Sequence, residues 1–222
     1  MTTTTTTASM THTATAPTAA APSRRLAWTG IAFVVCFIAS VVASSPPKNG
    51  ASDRTWIANY TGSANKTHHI ATGLLLVLAA LAIMTFLTML WQRIAAAQAP
   101  ASTSPLPIVA AGVGAAAIAI GGVVMGAVGT LITHHSDPGV ANFYRLSNGL
   151  GFALVALAAM PAIALSVACL SVLGRRAGVL SRGVSTFGII AAVASLAAIA
   201  FLPIILLFVW VLIVSVTWLR AG

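Results

Sequence analysis

Two pairs of histidines and one aspartate are the groups in this chain best suited to hold a metal. His68 and His69 open one apolar run, while His134 and His135 close another, with Asp137 just beyond them. One imidazole from each pair together with the Asp137 carboxylate would make a three-ligand site for Zn or Cu with an open position. Two facing imidazoles could alternatively ligate a haem. Successive residues of a helix point about 100° apart, so at most one histidine of each pair can face the other pair. The competing reading is structural: imidazole suits a wet membrane interface, and His134 and His135 sit well at a helix C-terminal dipole. No HExxH or paired-cysteine motif chooses between them. The expectation is therefore no cofactor, with Zn, Cu or haem as the alternative.

Beyond these residues the chain offers little for catalysis. No Asp, Glu, Lys or Arg falls in the middle of an apolar run. Proton relays and ion-coupled pumps usually rely on such groups, so those classes are disfavoured. Thr85, Thr88, Ser166, Ser171 and Ser195 read as packing groups that bond helix backbones. Cys36 and Cys169 each lie inside an apolar run and read as small core residues. An enzyme is not expected, although nothing here excludes one.

What must position these groups is a set of membrane helices. The chain has 222 residues, 59% hydrophobic and only 6% charged, against about 25% charged in a soluble domain. Its +9 charge comes from 11 Lys and Arg against 2 acidic residues. The basic residues are scattered in the breaks between apolar runs, which fits topology signals and anionic headgroups and excludes nucleic acid as a natural partner. The fold class expected is all-α, a polytopic transmembrane bundle with spans near 26–43, 68–91, 107–133, 146–173, 184–201 and 204–219. The stretch from Pro107 to Thr133 is uncharged and glycine-rich. In lipid, Gly121, Gly122, Gly126 and Gly129 would let neighbouring backbones approach, and Gly122-x-x-x-Gly126 is the small-xxx-small pattern. This helix is the expected packing centre, within the chain or in a homo-oligomer.

Residues 1–23 form a Thr, Ala and Pro tail that reads as disordered. Ser23-Arg24-Arg25 has a twin-arginine look, but several runs follow, so residues 26–43 read as an uncleaved first span. Pro46-Pro47 stops it, and Trp56 and Tyr60, spaced i, i+4, suggest a short helix lying on the headgroups. Asn59 and Asn65 match the glycosylation sequon, which has meaning only in a eukaryotic secretory pathway. Trp28, Trp56, Trp91 and Trp218 fall at span ends as an aromatic belt would, Trp210 does not, and Pro161 should kink its span.

The last run, from Val184 to Leu219, divides into two helices only if Phe201-Leu202-Pro203 breaks it. With six spans and both ends in the cytoplasm, Arg24, Arg25, Arg93, Arg175, Arg176, Arg182 and Arg220 lie inside. Lys48, Arg54, Lys66 and Arg145 then lie outside, 7 against 4 of the 11. With five spans Arg220 moves out, giving 6 against 5. The positive-inside rule therefore leans to six, with five as the alternative.

An outer loop carrying Trp56-Ile-Ala-Asn-Tyr60 and Asn65-Lys66 is followed by an Ala/Leu-rich span. The chain then finishes with Phe201-Leu-Pro203 and Trp210-Val-Leu-Ile-Val-Ser215. This pattern resembles a family of uncharacterised integral membrane proteins of high-GC bacteria. The resemblance implies a multi-pass protein of a bacterial membrane and brings no activity, cofactor or site residue with it; the arginine count places the N-terminus in the cytoplasm and the protein in the plasma membrane. The function expected is a non-enzymatic accessory or scaffolding component of the envelope, working with the lipid bilayer and a membrane-protein partner. A transporter or channel for a small apolar or weakly polar solute is the second reading, and a metal- or haem-dependent redox protein is the third.

Overall fold

The computed structural model describes residues 24–44, 46–48, 50–98, 104–131, 139–196 and 204–220. The tail 1–23, His134, His135, Asp137 and the Phe201–Pro203 break lie outside them. Among the described residues the secondary structure is entirely helical. Four helical stretches are long and apolar enough to cross a membrane: Arg24–Ala43, Ser63–Ala96, Leu106–Ala127 and Val140–Arg176. Two shorter apolar helices follow, Arg182–Ser195 and Ile204–Arg220.

Helix α1 (Arg24–Ala43) ends just before Pro46-Pro47, where the chain can no longer donate helical hydrogen bonds. Helix α2 (Asp53–Thr61) is short and capped by the Ser52 hydroxyl, which accepts from the Thr55 N–H. Helix α3 (Ser63–Ala96) starts five residues before the expected span at His68, and at about 1.5 Å per residue it is about 51 Å long. Its polar first turns simply continue the helix past the roughly 30 Å slab, a continuation that apolarity alone does not reveal.

Helix α4 (Leu106–Val123) carries the glycines and widens into a π turn, π1 (Val124–Val128), before the three-residue α5 (Gly129–Leu131). Helix α6 (Val140–Ala153) likewise widens into π2 (Leu154–Ala159) and continues as α7 (Met160–Arg176). At this second widening the Met160 N–H reaches back to the Val155 carbonyl, five residues away. Pro161 follows at once. Its ring would press on the Leu157 carbonyl in a regular α-helix, and the wide turn sits where that clash would fall.

Helices α8 (Arg182–Ser195) and α9 (Ile204–Arg220) are separate elements. At about 21 and 26 Å each is shorter than the slab. The α7–α8 turn passes through Gly178 at φ +70°, a left-handed conformation that side-chain-bearing residues rarely adopt.

In the core α1 packs along α3 and α9, α3 along α4, α4 along α7, and α8 joins α7 to α9. Phe37 and Phe33 of α1 meet Phe208 of α9 edge-on, at 5.3 and 5.7 Å between centroids. Nearer the basic end Gly30 lies against Ser215. Rising numbers on α1 thus meet falling numbers on α9, so the two helices are antiparallel. Trp210, outside the expected belt, is fully buried; its Nε1 donates to the Val184 carbonyl at 3.2 Å and its ring meets Phe86 at 90°. The outer surfaces of the helices carry exposed Leu, Val and Ile, among them Leu74, Leu81, Val109, Ile120, Leu146 and Val193. Such a surface is compatible with lipid and unfavourable in water.

Candidate functional site

The most built feature is a cap at the end of the bundle where α2, the start of α3 and the start of α6 meet. Trp56 and Tyr60 lie on one face of α2, and that face turns inward: Trp56 is 4% exposed and Tyr60 fully buried. This corrects the expectation that the two rings rest on headgroups, because Tyr60 fills a slot between two other rings. On one side His69 stacks on it at 4.1 Å and 9°, and on the other Tyr144 stacks at 4.5 Å and 4°. Spacing of i, i+4 makes an aromatic stripe; it does not say whether lipid or protein will cover that stripe.

Arg145 closes the cap from outside. Its Nη2 lies 2.7 Å from the Asp53 carboxylate and also donates to the Ala51 carbonyl at 2.8 Å, while Nη1 donates to Asn142 Oδ1 at 2.9 Å. The guanidinium stands 5.8 Å from the Trp56 ring centre, within cation–π range. One arginine therefore ties the loop before α2, the helix itself and α6. Beneath it the Trp56 Nε1 and the Tyr60 hydroxyl are buried without a hydrogen-bond partner. Each such group costs about 1–3 kcal/mol, which the stacked rings must outweigh. Burial, and then the nearby Tyr144, push the Tyr60 phenol from 10.0 up to about 12.

The histidine pair of α3 splits, as the 100° rule requires. His69 is buried, its ring face covered by Tyr60 and its Nε2 within 2.8 Å of Asn59 Oδ1. His68 is exposed and, with Asn59 and Asn65, edges a hollow of about 130 Å³. Among the described residues no three His, Cys, Asp or Glu side chains converge. As it stands, His69 would have to exchange Asn59 for a metal through Nε2.

A second feature lies within the bundle below the cap. A chamber of about 320 Å³ is lined by Phe37, Ser40 and Val41 of α1, Thr72 and Leu76 of α3, Met125 of π1, Asn148 and Phe152 of α6, Val155 and Ala156 of π2, and Ile204 of α9. Both widened turns thus wall one cavity. The Ser40 hydroxyl donates to the Phe37 carbonyl and that of Thr72 to the His68 carbonyl. Ser44 and Pro46 also border it, and neither the Ser44 hydroxyl nor the Asn148 amide has such a bond among the described residues, so these are the polar groups left over in an apolar wall.

The glycines set how closely the walls approach. A Cβ at Gly122 would stand 2.6 Å from the Leu76 Cβ, and one at Gly126 would stand 2.8 Å from the Gly73 Cα. A Cβ at Gly121 would stand 2.8 Å from the Gly151 carbonyl oxygen. Gly121, Gly122 and Gly126 therefore face α3 and α6 of the same chain. Gly129 opens α5, with surroundings outside the described residues. Sequence reasoning singles out neither Gly73 nor Gly151, which complete this seam: Gly73 sits alone in its apolar run, and Gly151 stands two residues from Gly149, which has open space around it.

No family model, curated protein or solved structure matches the chain.

Proposed function

We propose that the chain is a multi-pass protein of the plasma membrane with six crossing segments and a cytoplasmic N-terminus. In this reading it is a non-enzymatic accessory or scaffolding component whose outer cap meets a membrane-protein partner. The observation that carries the reading is the cap itself. Asp53, Ala51 and Asn142 all bond one arginine, and three stacked rings hold α2 rigidly against α3 and α6. A pre-ordered outer surface lowers the ordering cost of binding. The glycine seam is already occupied within the chain, which favours the cap over the glycine-rich helix as the contact. Six segments are supported by the antiparallel run of α9 beside α1, which brings Arg220 toward the end that carries Arg24. The alternative of five spans, with α8 and α9 as one crossing, would instead carry Arg220 to the outer side.

The test has two parts. Single cysteines at Thr55 and Lys66 should react with an impermeant reagent added outside intact cells, and single cysteines at Arg175 and Arg176 should not. A photo-crosslinking residue at Thr55 or Asn65 should then give one discrete protein adduct, whereas lipid adducts alone would refute a scaffolding role.

The chamber favours a second reading, a passage or carrier site for a small apolar or weakly polar solute. Its lining is mostly apolar, with the Ser44 hydroxyl and the Asn148 amide unbonded among the described residues, the pattern of a small-molecule site. Ala156→Phe should fill it and abolish uptake or binding of such a solute, and unchanged uptake would end this reading. A redox role through the histidines is tested by the absorbance and metal content of the purified protein.

A further inference from the structure

At the other end of the bundle the turn from α7 to α8 forms a cleft of about 620 Å³. Arg175, Arg176 and Arg182 border it, Val172, Leu180 and Ile189 supply an apolar wall, and Ser171 lies at its floor. All three arginines are exposed, and among the described residues none has an ion-pair partner. The chain has only 2 acidic residues. Among the described residues the one acidic side chain, Asp53, is bonded to Arg145 in the cap, so none of them neutralises this cleft.

The three arginines point to the ligand. Guanidinium is planar, forked and well matched to the oxygens of a phosphate diester. The Ser171 hydroxyl takes no part: it is buried against Gly188, which the Trp210 indole also flanks. Val172 and Ile189, exposed on adjoining helices, continue the cleft along the apolar surface, as an acyl chain would require.

We infer that the α7–α8 cleft is a binding seat for one anionic phospholipid, its phosphate held by Arg175, Arg176 and Arg182 and its tail laid along Val172 and Ile189. The inference rests on the membrane reading above. A basic pocket between helices at the headgroup level is the expected form of such a site.

The full chain is reconstituted in nanodiscs of phosphatidylcholine containing a minor fraction of phosphatidylglycerol, then released into mild detergent, and the retained lipid is weighed by native mass spectrometry. Wild type should retain one phosphatidylglycerol in preference to phosphatidylcholine. Each of R175Q, R176Q and R182Q should weaken that retention roughly fivefold. The outer pair K48Q/R54Q should leave it unchanged, which separates a seat from net charge. Millimolar inorganic phosphate should not displace the lipid; complete displacement would make the cleft a free-anion site and overturn the proposal. Equal retention of both lipids, or an unchanged preference in R175Q/R176Q/R182Q, would overturn it too. A chain that fails to enter nanodiscs would instead refute the membrane reading.

Discussion

Gly126 and Gly112 lie on the same glycine-rich run, and alanine should act on them with opposite sign. At Gly126 the added Cβ would stand 2.8 Å from both the Cα and the N of Gly73 and would overlap the His69 carbonyl oxygen. Carbon atoms pack best at about 3.5–4.0 Å, so α3 and α4 would have to part by about 1 Å. All the nearest atoms are backbone, and no flexible side chain can yield. Overpacking of this kind costs about 1–3 kcal/mol, against a gain of up to about 1 kcal/mol from helix propensity. At Gly112 the nearest atom is Met84 Cε at 4.0 Å, an ordinary contact. There only the propensity gain remains. Gly112→Ala should therefore raise the unfolding midpoint and Gly126→Ala lower it, each net kcal/mol moving it by about 2–4 °C for a chain of this size. Both variants gain the same methyl, so the difference between them isolates the seam. Thermal unfolding in one detergent measures it, with the variants run side by side. If both midpoints rise together, the close approach of α3 and α4 is wrong.

Three further perturbations read other parts of the fold. A double-mutant cycle on D53N and R145Q should give a coupling of about 0.2–1 kcal/mol, because Asp53 is 72% exposed and Arg145 32%; the coupling should shrink in roughly 1 M salt. The Tyr60 phenol, raised to about 12, contributes stability that is fully present below pH 10 and lost between pH 10 and about 12, since over that window the unfolded chain ionises first. The chain has 2 tyrosines, so phenolate absorbance should show a late step that disappears in Tyr60→Phe. Finally, Gly30→Ala should destabilise by about 1–3 kcal/mol, because its Cβ would overlap the Ser215 hydroxyl and stand 3.0 Å from the Phe86 ring. Adding Ser215→Gly should recover most of that loss in the same unfolding assay.

Much of the architecture could be read before any coordinates. Apolar runs locate the long helices, and Pro46-Pro47 marks the end of α1. What could not be read is which partner each surface meets. Trp56 and Tyr60 make a stripe that suits lipid as well as protein, and only Tyr144, more than eighty residues away in sequence, decides the matter. The same holds for the histidines: spacing allows one of each pair to turn inward, but Asn59 and Tyr60 are what claim His69. Glycine pairs were visible where they cluster, on α4, whereas Gly73 stands alone and nothing in the sequence separates the seam residue Gly151 from its open neighbour Gly149. The widened turns depend on packing between helices, and no propensity announces them.

The chamber can be traced to two kinds of helix contact meeting. On one side α4 and α6 are drawn onto each other and onto α3 through glycines, with backbone against backbone at Gly73 and Gly126 and at Gly121 and Gly151. On the other side α1 and α9 are held apart by Phe33, Phe37 and Phe208, whose rings need more than 5 Å between centroids. Helix α3 belongs to both sides and cannot follow both spacings along its whole length. Space opens where Leu76 gives way to Thr72, toward the cap, and the two π turns curve around it. Because Ser40 and Thr72 bond their own helices there, a molecule in that space would meet mostly hydrocarbon, and the polar exceptions are the Ser44 hydroxyl and the Asn148 amide.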